Sequence, residues 1–295
     1  MNARTATSLA IAAELPRDAL GVPYIAAPVT RRAQARGERR LSLGEPVPFG
    51  WLLGPFLLVL YWSVGSASGL IDPRVLPAPW VAVTTAIDLI EKGRLQADLA
   101  VSTLRAAQGL AWGVAVGLLV ALVSGLSLLG GYLFDGLVQV KRAIPTLALI
   151  PLLILWFGIG ETMKVTVIAL GVFIPIYIHT HNALRGIDLK YVELAETIGL
   201  SRWGFVRHVV LPGALPGFML GLRFGVMGAW LALVVVEQLN ATSGIGYMIN
   251  LARTYAQSDV IVVGLVVYAL LGLSSDAAVR ALEARALRWR RTLGR

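Results

Sequence analysis

Six long runs of apolar residues, separated by polar and basic segments, organise this chain. The runs cover residues 49–65, 101–129, 138–157, 165–182, 213–239 and 260–275. A helix needs about 20 mostly apolar residues to cross the hydrocarbon core of a bilayer. The pattern therefore predicts an all-α membrane protein with six transmembrane helices.

Polar segments at both ends flank this predicted membrane domain. Residues 1–46 contain seven arginines, and we expect them to form a disordered cytosolic tail. Residues 47–278 are predicted to be the transmembrane domain, and residues 279–295 a basic cytosolic carboxyl-terminal tail. A polar, basic segment at 184–212 interrupts the apolar pattern between the fourth and fifth runs.

The composition agrees with a membrane protein and excludes an ordinary soluble globular domain. Hydrophobic residues make up 57% of the chain and charged residues only 15%, and the mean hydropathy is +0.73. There is no cysteine, so no disulfide framework is possible. The net charge of +9 does not indicate nucleic-acid binding, because the basic residues lie beside the apolar runs.

The distribution of lysine and arginine predicts the orientation in the membrane. Positive residues are enriched in cytosolic loops. Here they concentrate in both terminal segments and in the loop at 184–212, while the loops expected on the opposite side hold few. With an even number of spans, both termini and this loop are predicted to be cytosolic.

Two of the predicted spans carry small residues at every fourth position. Such a spacing places them on one helix face, where glycine lets two backbones approach closely. We therefore expect both stripes to be helix-packing surfaces. The second span has Gly109, Gly113, Gly117, Ala121 and Gly125, and the fifth has Gly213, Gly217, Gly221 and Gly225.

A few ionisable and aromatic residues fall within or beside the spans. Arg105 is expected near the outer start of the second span, Arg223 inside the fifth, and Glu237 near its outer end. Charge inside a membrane is costly and often functional, so these three residues and Trp156 are candidates for a pathway or gate. Snorkelling, structural ion pairing and packing are the alternatives.

Other site chemistry is sparse. None of the four lysines is followed by Ser or Thr, so a phosphate-binding P-loop is absent. The three histidines have no cysteine or carboxylate pair near them in sequence, so neither a metal site nor a catalytic triad is predicted. We therefore expect neither enzymatic activity nor a cofactor bound by this chain itself.

The basic loop carries the most specific motif. Glu193, Ala195 and Gly199, followed after nine residues by Val209 and then by Leu211 and Pro212, keep the spacing E-A-A-x-x-x-G-x9-I-x-L-P. The segment resembles the EAA loop of ABC importer membrane subunits and departs from it at Leu194 and Val209. In that family the loop forms the cytosolic coupling helix gripped by the ATPase subunit, which the resemblance implies for Glu193, Ala195, Gly199, Leu211 and Pro212.

Local chemistry predicts the shape of this loop. Residues 193–198 favour a helix, and Gly199 can take a positive φ and end it. Ser201 is a suitable N-cap for a second short helix over 202–210, and Pro212 suits the start of the fifth span. Small Ala195 is expected to face a groove on the partner.

Further segments resemble the sulfonate, taurine and nitrate importer permeases, over about residues 49–278. They are Leu76 to Pro79, Ser102 to Arg105, Pro145 to Pro151, Trp156 to Gly160, and Glu237 followed by Gly244 to Gly246.

The resemblance implies a type I ABC importer permease in the bacterial inner membrane. Its implied partners are a second copy of the chain, two ATP-binding cassette ATPase subunits that bind ATP and Mg, and an extracytoplasmic substrate-binding protein. An aliphatic sulfonate is the expected substrate, with taurine, nitrate and bicarbonate as alternatives. An ATP-independent secondary transporter and a membrane enzyme are alternatives from other classes.

Overall fold

The computed structural model describes residues 50–289, and every regular element in that range is helical. We number the helices in chain order. They are α1 (Leu53–Ala67), α2 (Pro79–Glu91), α3 (Arg94–Leu126), α4 (Leu128–Ala143), α5 (Ile150–Phe157), α6 (Glu161–Arg185), α7 (Leu189–Thr197), α8 (Arg202–Phe205), α9 (Leu211–Asn240), α10 (Ile245–Thr254) and α11 (Ser258–Ala286).

Four helical runs in the described range are long and apolar enough to span a membrane. They are α3, α6, the continuous run Arg202–Asn240 and α11. A fifth span is reached if α4 and α5, which are bent by 91°, count as one. Helix α1 is apolar but has only 15 residues. The six apolar runs of the sequence thus correspond to these four, the bent pair and α1.

The residues from Leu57 onward form one compact unit, to which all contacts described below belong. Of the unit before it, the described part is a 3-10 turn, Gly50–Leu52, and the beginning of α1. The predicted amino-terminal tail lies outside the described residues.

Helix α6 is the central element of the bundle, and α3 packs along one side of it through the first glycine stripe. A Cβ at Gly113 would approach the Cβ of Val172 to 2.5 Å, and a Cβ at Gly117 would approach Ile176 to 3.0 Å. At Gly109 it would overlap Ile168. Close backbone approach therefore requires glycine along this face.

Helix α9 packs along another side of α6 through the second stripe. A Cβ at Gly221 would lie 2.9 Å from the Pro175 carbonyl, and one at Gly217 only 2.7 Å from the His179 carbonyl. A Cβ at Gly225 would lie a tight 3.3 Å from Val172, whereas Gly213 is exposed and its Cβ would only touch Ile187 at 3.6 Å. Three of the four glycines in this stripe therefore contact α6 closely.

The main apolar core lies where these three helices meet. The largest fully buried side chains of this cluster are Met163, Ile168 and Ile176 from α6 and Leu233 from α9. The outward face of α3 instead exposes large apolar side chains, which suits contact with lipid or protein. They are Leu104, Trp112, Val116, Leu119 and Val123.

The third span is broken, so the prediction of one continuous helix over 138–157 is wrong. Helix α4 begins earlier and ends at Ala143, and Ile144 has an extended conformation with φ −92° and ψ 118°. The cause is local, because Pro145 disfavours the α conformation in the residue before it. A 3-10 turn, Thr146–Leu149, follows, and Pro151 in the first turn of α5 suits a new helix start.

Two other boundaries differ from the sequence expectation. Helix α3 begins at Arg94, before the apolar run, so Arg105 lies three turns inside the helix although it is near the start of the apolar segment. Helix α11 continues to Ala286, so the first part of the expected carboxyl-terminal tail extends the last span. In both cases the helix extends beyond its apolar segment and includes neighbouring polar residues.

Candidate functional site

A buried polar cluster surrounds Arg105, which is 4% exposed on α3. Its Nε and Nη2 donate to the two carboxylate oxygens of Glu161, at 2.6 and 2.7 Å, in a bidentate pair. Its Nη1 donates to Glu237 at 2.8 Å and to the Ser243 carbonyl at 2.7 Å. The planar guanidinium therefore joins the start of α6 to the end of α9 and the loop that follows.

Glu237 is fully buried near the end of α9, and each polar group that contacts its carboxylate donates a hydrogen bond to it. Besides Arg105, it accepts hydrogen bonds from the Ser102 hydroxyl at 2.9 Å, the Gly246 N–H at 2.9 Å and the Tyr268 hydroxyl at 3.0 Å. Because a buried carboxylate is tolerated only when it is paired and hydrogen-bonded, this dense set of donors explains how Glu237 remains in an apolar bundle.

The same cluster holds the first turn of α10. The Gly244 N–H donates to Asp98 at 2.8 Å, and the Ile245 N–H donates to the Ser102 hydroxyl at 2.9 Å. The first N–H groups of a helix lack intrahelical partners and carry partial positive charge. Carboxylates and a hydroxyl from α3 and α9 thus accept hydrogen bonds from the backbone N–H groups that have no partner within α10.

The glycines of this turn are required by space and conformation. Gly244 has a φ of +108°, which an L side chain rarely adopts, and a Cβ there would overlap the Glu237 carboxylate. A Cβ at Gly246 would lie 2.5 Å from the Glu237 Cβ. The glycines let the backbone approach Glu237 closely enough to donate to it.

Glu161 is the exposed member of the cluster, with 60% of its side chain accessible. It also accepts from Lys164 at 2.8 Å, so it bridges two buried cations. The cluster therefore contains three carboxylates and two basic side chains. They are Asp98, Glu161, Glu237, Arg105 and Lys164. Removing one partner from such a buried network leaves a charge without compensation.

Glu161 also lines one end of a groove of about 680 Å³ between α3 and α6. Polar side chains in the groove are Gln108, Thr162 and Thr166, and the rest of the lining is mainly apolar. The groove is open to the outside of the single chain, so it can admit a solute or be covered by another protein.

The structure brings together two of the four predicted pathway residues and separates the other two. Arg105 and Glu237 are direct partners. Trp156 is exposed on α5, and Arg223 pairs with Asp276 of α11 at 2.8 Å. Sequence reasoning did not identify Asp98, Glu161, Lys164, Ser243 and Tyr268 as members of this cluster. The Ser102–Arg105 and Gly244–Gly246 segments were recognised as motifs, but no feature of the sequence near either one shows that the two segments are in contact.

The basic loop has the geometry expected from its sequence. Helix α7 is N-capped by Asp188 and ends at Thr197, and Gly199, two residues later, has a φ of +68°. The Gly199 and Leu200 N–H groups donate back to Glu196 and Ala195 at 3.0 and 2.9 Å, closing the helix. Ser201 then caps α8, its hydroxyl accepting from the Gly204 N–H at 3.1 Å.

The second short helix is not separate from the fifth span. Helix α8 continues through a π turn, Val206–Val210, directly into α9, and the Leu211 N–H donates to the Val206 carbonyl. Pro212 has no N–H to donate one turn back, so a local change in the hydrogen-bond pattern at this point has a clear cause. The loop is thereby connected to α9 by continuous helix.

Ala195 does not face outward, contrary to expectation. It is only 6% exposed and packs within its own chain. Leu194 of α7 and Ile198, directly after it, are instead exposed, at 57% and 66%, with Glu193 exposed beside them. Leu189 and Tyr191 of α7 are exposed as well, so this segment presents several apolar side chains to its surroundings.

Among residues 50–289 no three His, Asp or Glu side chains gather into a metal-binding group. The notable polar features of these residues are the ion pairs around Arg105 and the backbone donors at the start of α10.

Comparison with known proteins gives a consistent family. Residues 113–288, more than half of the chain, match the family described as "binding-protein-dependent transport system inner membrane component". The aliphatic sulfonates transport permease protein SsuC of Escherichia coli (strain K12) is 45% identical over 239 residues, covering 81% of this chain and 90% of that protein. The protein of the same name in Bacillus subtilis (strain 168) is 39% identical over 82% of this chain and 89% of its own length.

More distant relatives are also transport proteins. The taurine transport system permease protein TauC of Escherichia coli (strain K12) is 32% identical over 79% of this chain and 86% of that protein. Among solved structures, an inward-facing form of the MetNI methionine ABC transporter aligns with a TM-score of 0.45 at 20% identity. That alignment covers 68% of this chain and 96% of the solved chain.

Proposed function

We propose that this chain, which belongs to the family of binding-protein-dependent transport system inner membrane components, carries aliphatic sulfonates across the inner membrane. As a family member it is a multi-pass permease subunit of an ABC importer and not an enzyme. It works with a separate subunit that hydrolyses ATP and with a substrate-binding protein. ATP and Mg are held by that ATPase.

The substrate class is supported by the relatives' names. Two proteins at 45% and 39% identity are named for aliphatic sulfonates, and the taurine protein follows at 32%. Taurine is itself a sulfonate, so a shared anionic group links all three. Nitrate and bicarbonate are the competing anions.

In the proposed assembly two copies of the chain enclose the pathway, two ATPase subunits bind inside, and the binding protein docks outside. The exposed apolar face of α3 and the open groove between α3 and α6 support a second copy, since a neighbouring protein would cover both. Basic residues near both termini and in the α7–α8 loop support a cytosolic position for all three.

The loop between α6 and α9 is the proposed coupling element. Helix α7, with Leu194 and Ile198 exposed, docks on the ATPase. Glu193 lies at the rim of that contact, and Ala195 and Gly199 hold the shape of the loop. Leu211 and Pro212 lie at the start of α9, where the connection to α8 is continuous helix, and this is the observation that carries the proposal.

Movement of α7 then reaches the bundle through α9. When ATP closes the ATPase pair, α7 and α9 move together and favour the outward-open state. Hydrolysis favours the inward-open state. The populations of the two states shift because the nucleotide changes their relative free energies.

The test is transport by the purified complex in vesicles, with its ATPase and binding protein. We expect ethanesulfonate to be taken up with ATP, ahead of taurine, and nitrate and bicarbonate to be poor substrates. Uptake of nitrate or bicarbonate in place of both sulfonates would overturn the substrate class. Leu194→Asp should keep the bundle folded but weaken ATPase binding, while the matched change Leu70→Asp, at an exposed position in the loop after α1, should leave ATPase binding intact.

A further inference from the structure

We propose that Lys141, at the break between α4 and α5, contacts the anionic group of the transported solute on its way through the membrane. This inference rests on the proposed function and deepens it, because it assigns a residue that recognises the charge of the substrate. It is carried by three observations: the depth of Lys141, the absence of a counter-charge and the irregular backbone around it.

The depth follows from contacts between α4 and α6. Near the start of α4, a Cβ at Gly131 would lie 2.6 Å from Arg185, the last residue of α6. Further along, Asp135 accepts a hydrogen bond from Tyr177 at 2.5 Å. Lys141 then donates to the carbonyl of Leu170, near the middle of α6. Helix α4 thus runs along α6 from its end toward its start, and Lys141 lies beside the middle of α6. Because α6 is one of the predicted spans, we infer that this lysine lies well inside the membrane.

The ammonium of Lys141 has only neutral partners. It donates to Thr146 Oγ1 and to the Leu170 carbonyl, both at 2.8 Å, and no carboxylate of residues 50–289 lies within 4.0 Å. By contrast, Arg105, Lys164 and Arg223 each have a carboxylate within 2.8 Å. An ionisable side chain inside a membrane is costly and marks a functional route. The third proton of the ammonium remains for an anion.

The backbone beside Lys141 is irregular and therefore unsuited to contact with lipid. Residues 144–149 are not α-helical, and Ile144, Pro145, Leu147 and Ala148 are exposed in the single chain. Irregular backbone at membrane depth is tolerated only where protein covers it or where it lines a water-filled cavity. Broken helices at the midplane form substrate sites in other transporters.

The break also adjoins the groove between α3 and α6. Leu170, whose carbonyl binds Lys141, lines that groove together with Thr166 and Gln108. A sulfonate entering the groove would find hydroxyl and amide donors along the wall and the ammonium at its edge. A lysine is a compact point charge without the bidentate geometry of arginine, and it can therefore hold an anion and still release it.

The first test removes the charge and keeps the donors. Lys141→Gln should assemble with the ATPase and keep its basal hydrolysis, but ethanesulfonate uptake should fall about tenfold or more, the size expected for a lost charged hydrogen bond. Lys141→Arg should retain most uptake. Arg142→Gln is the matched control, since it removes the neighbouring exposed charge, and it should transport as wild type does.

The second test uses the absence of native cysteine. Lys141→Cys should lose uptake, and modification of the assembled complex with aminoethyl methanethiosulfonate should restore it by returning an ammonium. Modification with the sulfonatoethyl reagent should not. Ethanesulfonate should slow the modification of this chain, measured by its mass. A purely structural lysine would show no such protection.

The outcomes separate the two proposals. If wild-type vesicles take up no sulfonate, the proposed substrate is wrong. If wild type transports and Lys141→Gln transports equally well, or if substrate gives no protection of the cysteine, Lys141 is not on the route and this inference alone fails.

Discussion

At the residue scale, the contacts converge on Glu237. This one carboxylate receives donors from α3, α10 and α11. Because the first turn of α10 depends on it, Glu237 positions a whole helix relative to α3. Its role is therefore to hold the bundle together at this end, and any gating of that end would require the cluster to rearrange as a unit.

Glu237→Ala should destabilise the protein by about 3–5 kcal/mol, because Arg105 and the Gly246 N–H would stay buried with a partner missing. The measurement is thermal unfolding in detergent. Glu91→Ala, which removes an exposed carboxylate at the end of α2, should leave the unfolding temperature unchanged. Equal unfolding temperatures for the two variants would show that the buried network contributes little.

Gly199 offers a second test at this scale. No atom lies within 4 Å of the place its Cβ would occupy, so only its φ of +68° constrains it. Gly199→Val should strain the backbone by about 1–3 kcal/mol, leave the spans inserted, and reduce both uptake and substrate-stimulated ATP hydrolysis.

Gly199→Asn is the matched control, since asparagine tolerates a positive φ better than other residues do. It should keep most of the coupling, measured as hydrolysis and transport in the same vesicles. If the valine variant couples as wild type does, the loop is not the transmission element.

At the element scale, α6 lies against two glycine-lined helices. Glycine stripes on α3 and α9 bring both backbones close to it, and the side chains that fill the gaps belong to α6. Association of helices within lipid depends on such close packing, because burial from water contributes little there. Helix α6 is therefore the element through which α3 and α9 are held relative to each other.

Gly217→Leu and Gly117→Leu should separate these helices. The new side chain at residue 217 would meet Ala183 and the His179 carbonyl, and the one at residue 117 would meet Ile176. We expect a lower unfolding temperature and poor assembly with the ATPase, at about 1–3 kcal/mol for each overpacked site.

Gly272→Leu serves as the control for these variants, because its Cβ meets nothing within 4 Å in the single chain. It should unfold at the wild-type temperature. If all three variants behave alike, the stripes do not carry the packing.

At the scale of the whole molecule, the helices place the α7–α8 loop and the Arg105 cluster at opposite ends of the bundle. Helix α6 begins at Glu161 in the cluster and ends at Arg185 before the loop, and α9 runs back from the loop to Glu237. In the proposed mechanism, a signal that starts at the ATPase crosses the membrane along these two helices, which pack against each other.

Impermeant thiol reagents can test this arrangement in intact cells, because the chain has no cysteine. Ser201→Cys should be protected from external reagent and labelled only after the membrane is opened. Thr242→Cys, an exposed position after α9, should be labelled from outside. The reverse pattern would invert the orientation and place the proposed coupling loop on the wrong side.

Several features of the fold were predictable because their causes are local. The caps at Ser201 and Gly199 depend on hydrogen bonds that reach three to five residues along the chain. The stripes at Gly113 and Gly221 follow from helix periodicity. The apolar runs predicted the spans, although the runs alone could not show that the third is broken.

The sequence by itself determined roughly where the apolar spans lie, which faces of the second and fifth spans carry small residues, and how the α7–α8 loop turns, because these follow from neighbours along the chain. Only the tertiary structure decided which charges meet: Arg105 and Glu237 are 132 residues apart and pair only once α3 and α9 have packed on α6. It also buries Ala195 within its own chain and brings Lys141 to the Leu170 carbonyl, near the middle of α6. Burial and charge pairing depend on the folded surroundings of a residue, and no local pattern encodes them.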